Sequence, residues 1–276
     1  MLIQVGYDLE FNVPARTPIL LMLYTHPSRA SSLRSVDCIQ VEPYAPVVVF
    51  TDAFGNMGGK IVAAPGKLRL FSKTLVEDNG VPDPVFPFAR QHPVEELPPD
   101  ALLFLLASRY CEVDKLSDIA WSLFGQTPPG WQRVQAVCNW VHQNVMFGYQ
   151  FAHPMKSAWD VYHERKGVCR DLNHLALTFC RCLGIPARYV TGYLGDIGVP
   201  ISPCPMDFSG WFEAYLDGRW YTFDARHNVP RIGRVVMARG RDAVDVAITT
   251  SFGHTQLVKF VVYTDEVHQP MLAAAM

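Results

Sequence analysis

The chain has 276 residues, 49% of them apolar and 18% charged, with a formal net charge of −2. That balance suits a folded protein with room for two modest domains and excludes a disordered one. With no Lys/Arg run and no basic stripe, nothing makes an electrostatic case for nucleic acid or an anionic membrane surface as a partner.

The opening MLIQVGYDLEF alternates and carries acids early, unlike a basic n-region followed by an apolar run. The longest apolar stretch, residues 19–24, is too short to span a bilayer. Both features point to the cytoplasm, as do seven cysteines in no regular spacing, which do not read as a disulfide scaffold. Residues 2–7 and 39–42 mostly alternate and residues 47–50 form a continuous apolar run. Turn chemistry at residues 52–56 and 64–66 separates such segments. Short strands at this spacing predict an N-terminal β-sandwich over residues 1–78. Six prolines then fall between residues 78 and 100, and 79–105 read as a linker draped over the surface.

Residues 106–276 are predicted to form a second domain of α+β class, a helical lobe packed on an antiparallel sheet. Residues 114–123 suit a short amphipathic helix. Pro128-Pro129-Gly130 opens a longer one, with Val134, Val137, Cys138, Val141 and Val145 on one face. Ser157 is placed to cap a helix through Trp159, Val161 and Tyr162 that ends at Gly167. The next helix starts at Cys169 and runs to Gly184; it is apolar nearly all round, which predicts a central, buried position. Strands follow at residues 188–193, 210–216 and 219–224, the last two flanking the hairpin signal Asp217-Gly218. A late strand at residues 256–262 is expected in the same sheet.

Cys169 draws attention by its position. A cysteine in the first turn of a buried helix lies beside free backbone N–H groups and the positive end of the helix dipole, which favour the thiolate. The same amides can receive the oxyanion of a tetrahedral acyl intermediate. Gly167 allows close backbone approach, and Arg170 and Asp171 are unlike the neighbours of a core filler. Cys180 and Cys182 do read as fillers, and at about 200° apart round the helix they cannot share an ion. No metal or other cofactor is expected.

The blocks Gly167-Val168-Cys169-Arg170-Asp171-Leu172-Asn173-His174-Leu175-Ala176 and Leu183-Gly184-Ile185-Pro186-Ala187-Arg188-Tyr189-Val190-Thr191-Gly192-Tyr193 resemble the core of the transglutaminase-like superfamily in order and spacing. The first domain is similar to the N-terminal sandwich of its bacterial, cysteine-peptidase-like members. The resemblance implies a papain-like core and a Cys-His-Asp triad in that order, the histidine opening one strand and the aspartate ending the next. Cys169 and Asp224 match. The histidine position is Ser209, whose hydroxyl has no useful basicity near neutral pH. The hairpin supports this placement: a two-residue turn pairs Leu216 with Arg219, so Trp211 faces Asp224 and Ser209 lies diagonal to it.

Other histidines are less well placed in the sequence. Strict alternation puts His227 on the face opposite Asp224, within a surface turn. His174 is about 140° round the helix from Cys169 and reads as a structural hydrogen-bonder. His153 and His254 fall in loops. Trp211 and, further upstream, Trp159 and Tyr149 are candidates for the wall and oxyanion pocket of the acyl site. Glu213 shares the face of residue 209 and is expected to pair with Arg170 or Arg188. The resulting expectation is acyl transfer or peptidase chemistry on a peptide or glutamine amide through a Cys169 thioester, impaired by Ser209. The alternative is a non-catalytic peptide- or protein-binding module that uses the old cleft.

Overall fold

In the computed structural model, which describes residues 1–267, the N-terminal alternation resolves into β1 (Leu2–Val13), β2 (Thr17–Leu21), β3 (Gln40–Glu42), β4 (Val48–Thr51), β5 (Met57–Ala63) and β6 (Gly66–Glu77). The helical region contains α1 (Pro99–Leu102), α2 (Val113–Phe124), α3 (Trp131–Asn144), β7 (Met146–Phe147), α4 (Ala158–Glu164), β8 (Lys166–Gly167) and α5 (Cys169–Cys182). The strands β9 (Ala187–Tyr193), β10 (Ser209–Leu216), β11 (Arg219–Phe223), β12 (Val235–Gly240), β13 (Thr249–Ser251) and β14 (Gln256–Val267) follow. Among the described residues, no helix is long and apolar enough to cross a membrane.

The sandwich consists of two four-stranded sheets, ordered β14-β1-β6-β3 and β13-β2-β5-β4. Every second side chain of β1 from Ile3 to Val13 is buried, and these pack with Ile19, Leu21 and Ile61 from the facing sheet. The expectation that residues 256–262 join the second domain's sheet is overturned. β14 pairs antiparallel with β1 along nearly its whole length, from Leu2 opposite Val267 to Asn12 opposite Gln256. β12, for which the sequence pattern gave no expectation, occupies the free edge of β9 instead. The sandwich is thus built from both ends of the described chain.

The proline-rich stretch drapes over the second domain through specific bonds. Trp131 donates its N–H to the Ala89 carbonyl and Asp217 to that of Arg90, each at 2.9 Å. The Gln91 amide reaches the Leu183 carbonyl at 2.8 Å. Asp83 accepts from the Arg231 N–H and from Arg234 Nε, at 2.9 and 2.8 Å.

α5 is central, as its composition predicts. Leu172, Leu175, Ala176 and Phe179 are all at most 1% exposed. They share one core with Leu116 and Ala120 of α2, Val134 and Val137 of α3, Val161 of α4 and Phe212 of β10. Against this helix lies the sheet β11-β10-β9-β12. The β10–β11 register is the one the turn dictates: Leu216 opposes Arg219, and both Asp217 (φ 48°) and Gly218 (φ 81°) adopt the left-handed backbone of a two-residue hairpin loop. Helix α4 stops at Glu164 rather than reaching Gly167. Arg165 turns left-handed (φ 56°), and the chain is released to pair β8 with β7 just before Cys169.

Candidate active site

Three elements converge on Cys169. α5 supplies the cysteine from its first turn, where the residue is 9% exposed. The entry is tight: a Cβ at Gly167 would lie 2.6 Å from the Asp171 Cβ. In that space Asp171 Oδ2 accepts the Val168 N–H at 3.0 Å, while Oδ1 accepts from Arg170 Nε and Nη2 at 2.9 and 2.7 Å. One helical turn on, buried Asn173 ties the site together. Its amide donates to the carbonyls of Cys169 and Gly210, both at 2.9 Å, and its oxygen accepts the Ala225 N–H at 3.0 Å. The helix, the start of β10 and the end of β11 are thereby locked in register with one another.

β10 presents Ser209 and Gly210 to the thiol. Both line, with Cys169, Tyr149, Tyr189 and Asp207, a cleft of about 490 Å3. The backbone N–H of Gly210 interacts with the thiol. A Cβ at Gly210 would sit 2.0 Å from the Tyr189 hydroxyl, so only glycine brings the backbone this close. Burial is the largest influence on Cys169 and pushes its thiol up, with the Asp207 and Asp224 carboxylates adding to the effect. Arg226 and the Gly210 N–H oppose it without cancelling it. Contrary to the lowered thiol expected from the helix start, burial of the thiol disfavours its charged form.

Asp224 follows the end of β11 in full burial. Burial alone would raise its carboxyl, but Arg234 and the bonds from His227 hold it well below the ordinary carboxylate range. Oδ2 contacts His227 Nδ1 at 2.8 Å and Arg234 Nη2 at 3.1 Å, and Oδ1 accepts the Arg226 N–H at 2.9 Å. The placement of His227 on the far face from Asp224 is thus corrected as well. β11 ends at Phe223, and a tight turn closed by Asn228 N–H to the Asp224 carbonyl brings the imidazole back onto the carboxylate. His227 faces a small adjoining cavity that it shares with Arg226, Tyr149, Asp207 and Ser209, not the cleft of Cys169. Among the described residues, no imidazole hydrogen-bonds the Cys169 thiol.

Of the other candidates, Tyr149 lines the Cys169 cleft from the 3₁₀ turn Tyr149–Phe151. Trp211 does not. It is 1% exposed and packs with Val190 and Val236 beneath the Arg234 guanidinium, 5.0 Å from its ring. Although it shares its face of β10 with Ser209, these contacts hold its ring outside the cleft. Trp159 is also absent from the cleft: its ring lies tilted against His163, with centroids 4.2 Å apart, and packs partly buried against the helical core. Glu213 pairs with Arg188 at 2.6 Å and Arg239 at 2.9 Å, while Arg170 is taken by Asp171. His174 is a structural hydrogen-bonder as expected, accepting the Ala243 N–H at 3.1 Å between the rings of Tyr110 and Tyr189. Asp207, Arg226 and Arg234 escaped the sequence reading. Asp207, two residues before Ser209, and Arg226, two residues past Asp224, stood close enough to the motif to be suspected.

A cysteine heading a buried helix, faced by a strand pair with an aspartate at its end, defines a papain-like core with a thiol at its centre. Residues 119–225 match the family model of the transglutaminase-like superfamily. A candidate cysteine protease from Cytophaga hutchinsonii is 30% identical, over 98% of this chain and 93% of its own, and superposes with a TM-score of 0.84. The uncharacterized protein ML0607 of Mycobacterium leprae is 30% identical over 117 residues, 41% of this chain and 42% of that protein's length. The chain belongs to the transglutaminase-like superfamily.

Proposed function

We propose that this chain is a cysteine acyl-transfer protein whose acyl donor is a peptide bond or glutamine amide and whose acceptor is water or an amine. The reaction passes through a Cys169 thioester. One observation carries the reading: the thiol at the head of α5 opens onto a 490 Å3 cleft beside the Gly210 N–H, a donor suited to a developing oxyanion. Ser209 in the position of the base predicts turnover well below that of a complete triad. Seven free cysteines accord with a reducing compartment such as the cytoplasm.

The test is Ser209→His, with Cys169→Ala as the blank, assayed for release of product from peptide and glutamine amides. An added imidazole is expected to raise kcat/KM by about 10²–10⁴-fold. High turnover in the unaltered chain, unchanged in the variant, would sink the reading. The raised thiol favours a second reading, a peptide-binding module without catalysis. Alkylation of Cys169 that rises only above the ordinary thiol range, together with no turnover in Ser209→His, supports that reading instead.

A further inference from the structure

Residues 207–209 are anchored by the ring between them. Phe208 packs against Tyr7, Tyr193 and Phe260, at centroid distances of 6.2, 5.4 and 5.8 Å. Asp207 and Ser209 on either side both line the Cys169 cleft, and both also line the adjoining cavity that holds Arg226 and His227. Asp207 thus stands where the two cavities meet. His227 is committed through Nδ1 to Asp224, and Ser209 offers no base. Asp207 is the half-buried carboxyl left facing the thiol.

Resting on the acyl-transfer reading above, we propose that Asp207 carries the proton that an imidazole at position 209 would otherwise carry. Cys169 Sγ attacks the carbonyl carbon as its proton moves to the Asp207 carboxylate. The C–N bond breaks, and the same proton passes from Asp207 to the departing nitrogen, leaving the thioester. Water then attacks the thioester carbon and gives one proton to Asp207. The C–S bond breaks and Asp207 returns that proton to the sulfur, which restores the starting state.

The surroundings suit this part. Burial raises the Asp207 carboxyl above its ordinary range, and the Phe208 N–H and Arg226 offset that only in part, so it accepts a proton more readily than a surface aspartate. Cys169 faces it from α5, Tyr189 from β9, Tyr149 from its 3₁₀ turn, and Arg226 and His227 from the turn after β11. Asp196 and Cys204 also line the smaller cavity, and Tyr110, Arg170 and His153 the cleft. Arg226 acts on Cys169, Tyr149 and Asp207 alike, and its charge stabilises thiolate or carboxylate, whichever is ionised. A carboxylate is a weaker acceptor than imidazole for a raised thiol, which predicts slow rather than absent turnover.

The experiment uses the full chain and a p-nitrophenyl ester, whose leaving group needs no proton. A nitrophenol burst measures acylation, mass spectrometry locates the acyl group on Cys169, and the steady state measures deacylation. Asp207→Asn is expected to keep the burst amplitude and slow deacylation about 10²-fold. In Asp207→Asn/Ser209→His turnover should return, with an acid limb near the histidine value of about 6.5 in place of the carboxyl limb. An acyl-Cys169 that Asp207→Asn hydrolyses at the unaltered rate overturns this assignment and leaves the acyl-transfer reading intact. Failure of Ser209→His to restore the double variant, while raising turnover in the otherwise unaltered chain, also overturns it, because Asp207 is then structural. No acyl-Cys169 in any variant rejects both.

Discussion

His227 and His174 show how burial and charge set opposite duties for one side chain. His227 keeps an ionised partner, Asp224, which it shares with Arg234. His174 is fully buried, and the charges that act on it are those of Arg170 and Arg181. Burial first, and then these two guanidinium groups, push its imidazole well below the ordinary range. The native chain therefore holds His174 neutral, whereas the unfolded chain protonates it below about pH 6.5. Stability rises with pH wherever the unfolded state binds more protons, so this contribution is complete above pH 6.5 and is lost as the pH falls. His26 behaves alike, pushed down to about 4 by burial and then by Arg239 and Arg188, so its share of the slope ends near that value. Urea unfolding across pH 4 to 8 should give a stability that is level at the top and falls below pH 6.5. Each such histidine contributes at most about 1.4 kcal/mol per pH unit. His174→Gln should flatten that fall by one proton's worth; an unaltered slope would show that His174 titrates normally in the fold.

At the level of elements, the beginning of α5 was the most legible part of the sequence and His227 the least. Helix starts, caps and hairpin turns are written in neighbouring residues: Ser157 caps α4 through a reciprocal box with Asp160, and Asp217-Gly218 fixes the β10–β11 register. Parity arguments fail where a strand stops, and β11 stops one residue before Asp224, so alternation could not place His227. The same limit hid Asp207, which precedes β10 and owes its place to the anchoring of Phe208 in the other domain. Gly167 is the local feature on which the Cys169 geometry most depends. Gly167→Ala would set a methyl 2.6 Å from the Asp171 Cβ and 2.9 Å from its Oδ2, the atom that accepts the Val168 N–H. Relief requires Asp171 to move, and Arg170 with it. The expected cost is about 1–3 kcal/mol of stability, as for other overpacked sites. Cys169 alkylation by iodoacetamide should change in the same variant. A melting temperature and an alkylation rate equal to those of the unaltered chain would mean that the helix entry is slack.

At the scale of the whole molecule, the decisive pairing joins residues more than 240 positions apart. No local pattern names the partner of a strand, so a reading of the sequence assigns residues 256–262 to the second domain's sheet, beside the strands that precede them. In the fold β14 covers β1, which would otherwise be an edge, and sends Val262 and Thr264 into the sandwich. The two domains are continuous there: Tyr193, Phe208 and Val235 of the second domain belong to the sandwich core, and Phe260 of β14 reaches the Cys169 cleft. A chain ending at residue 255 therefore loses a sheet edge, part of a core and a wall of the candidate site together. An exposed, apolar β1 edge is also a template for pairing between chains. Truncation at 255 is expected to give soluble aggregates in gel filtration and a broad, early thermal transition by circular dichroism. A monomer that melts cooperatively at the temperature of the intact chain would show instead that the sandwich closes without its C-terminal strand.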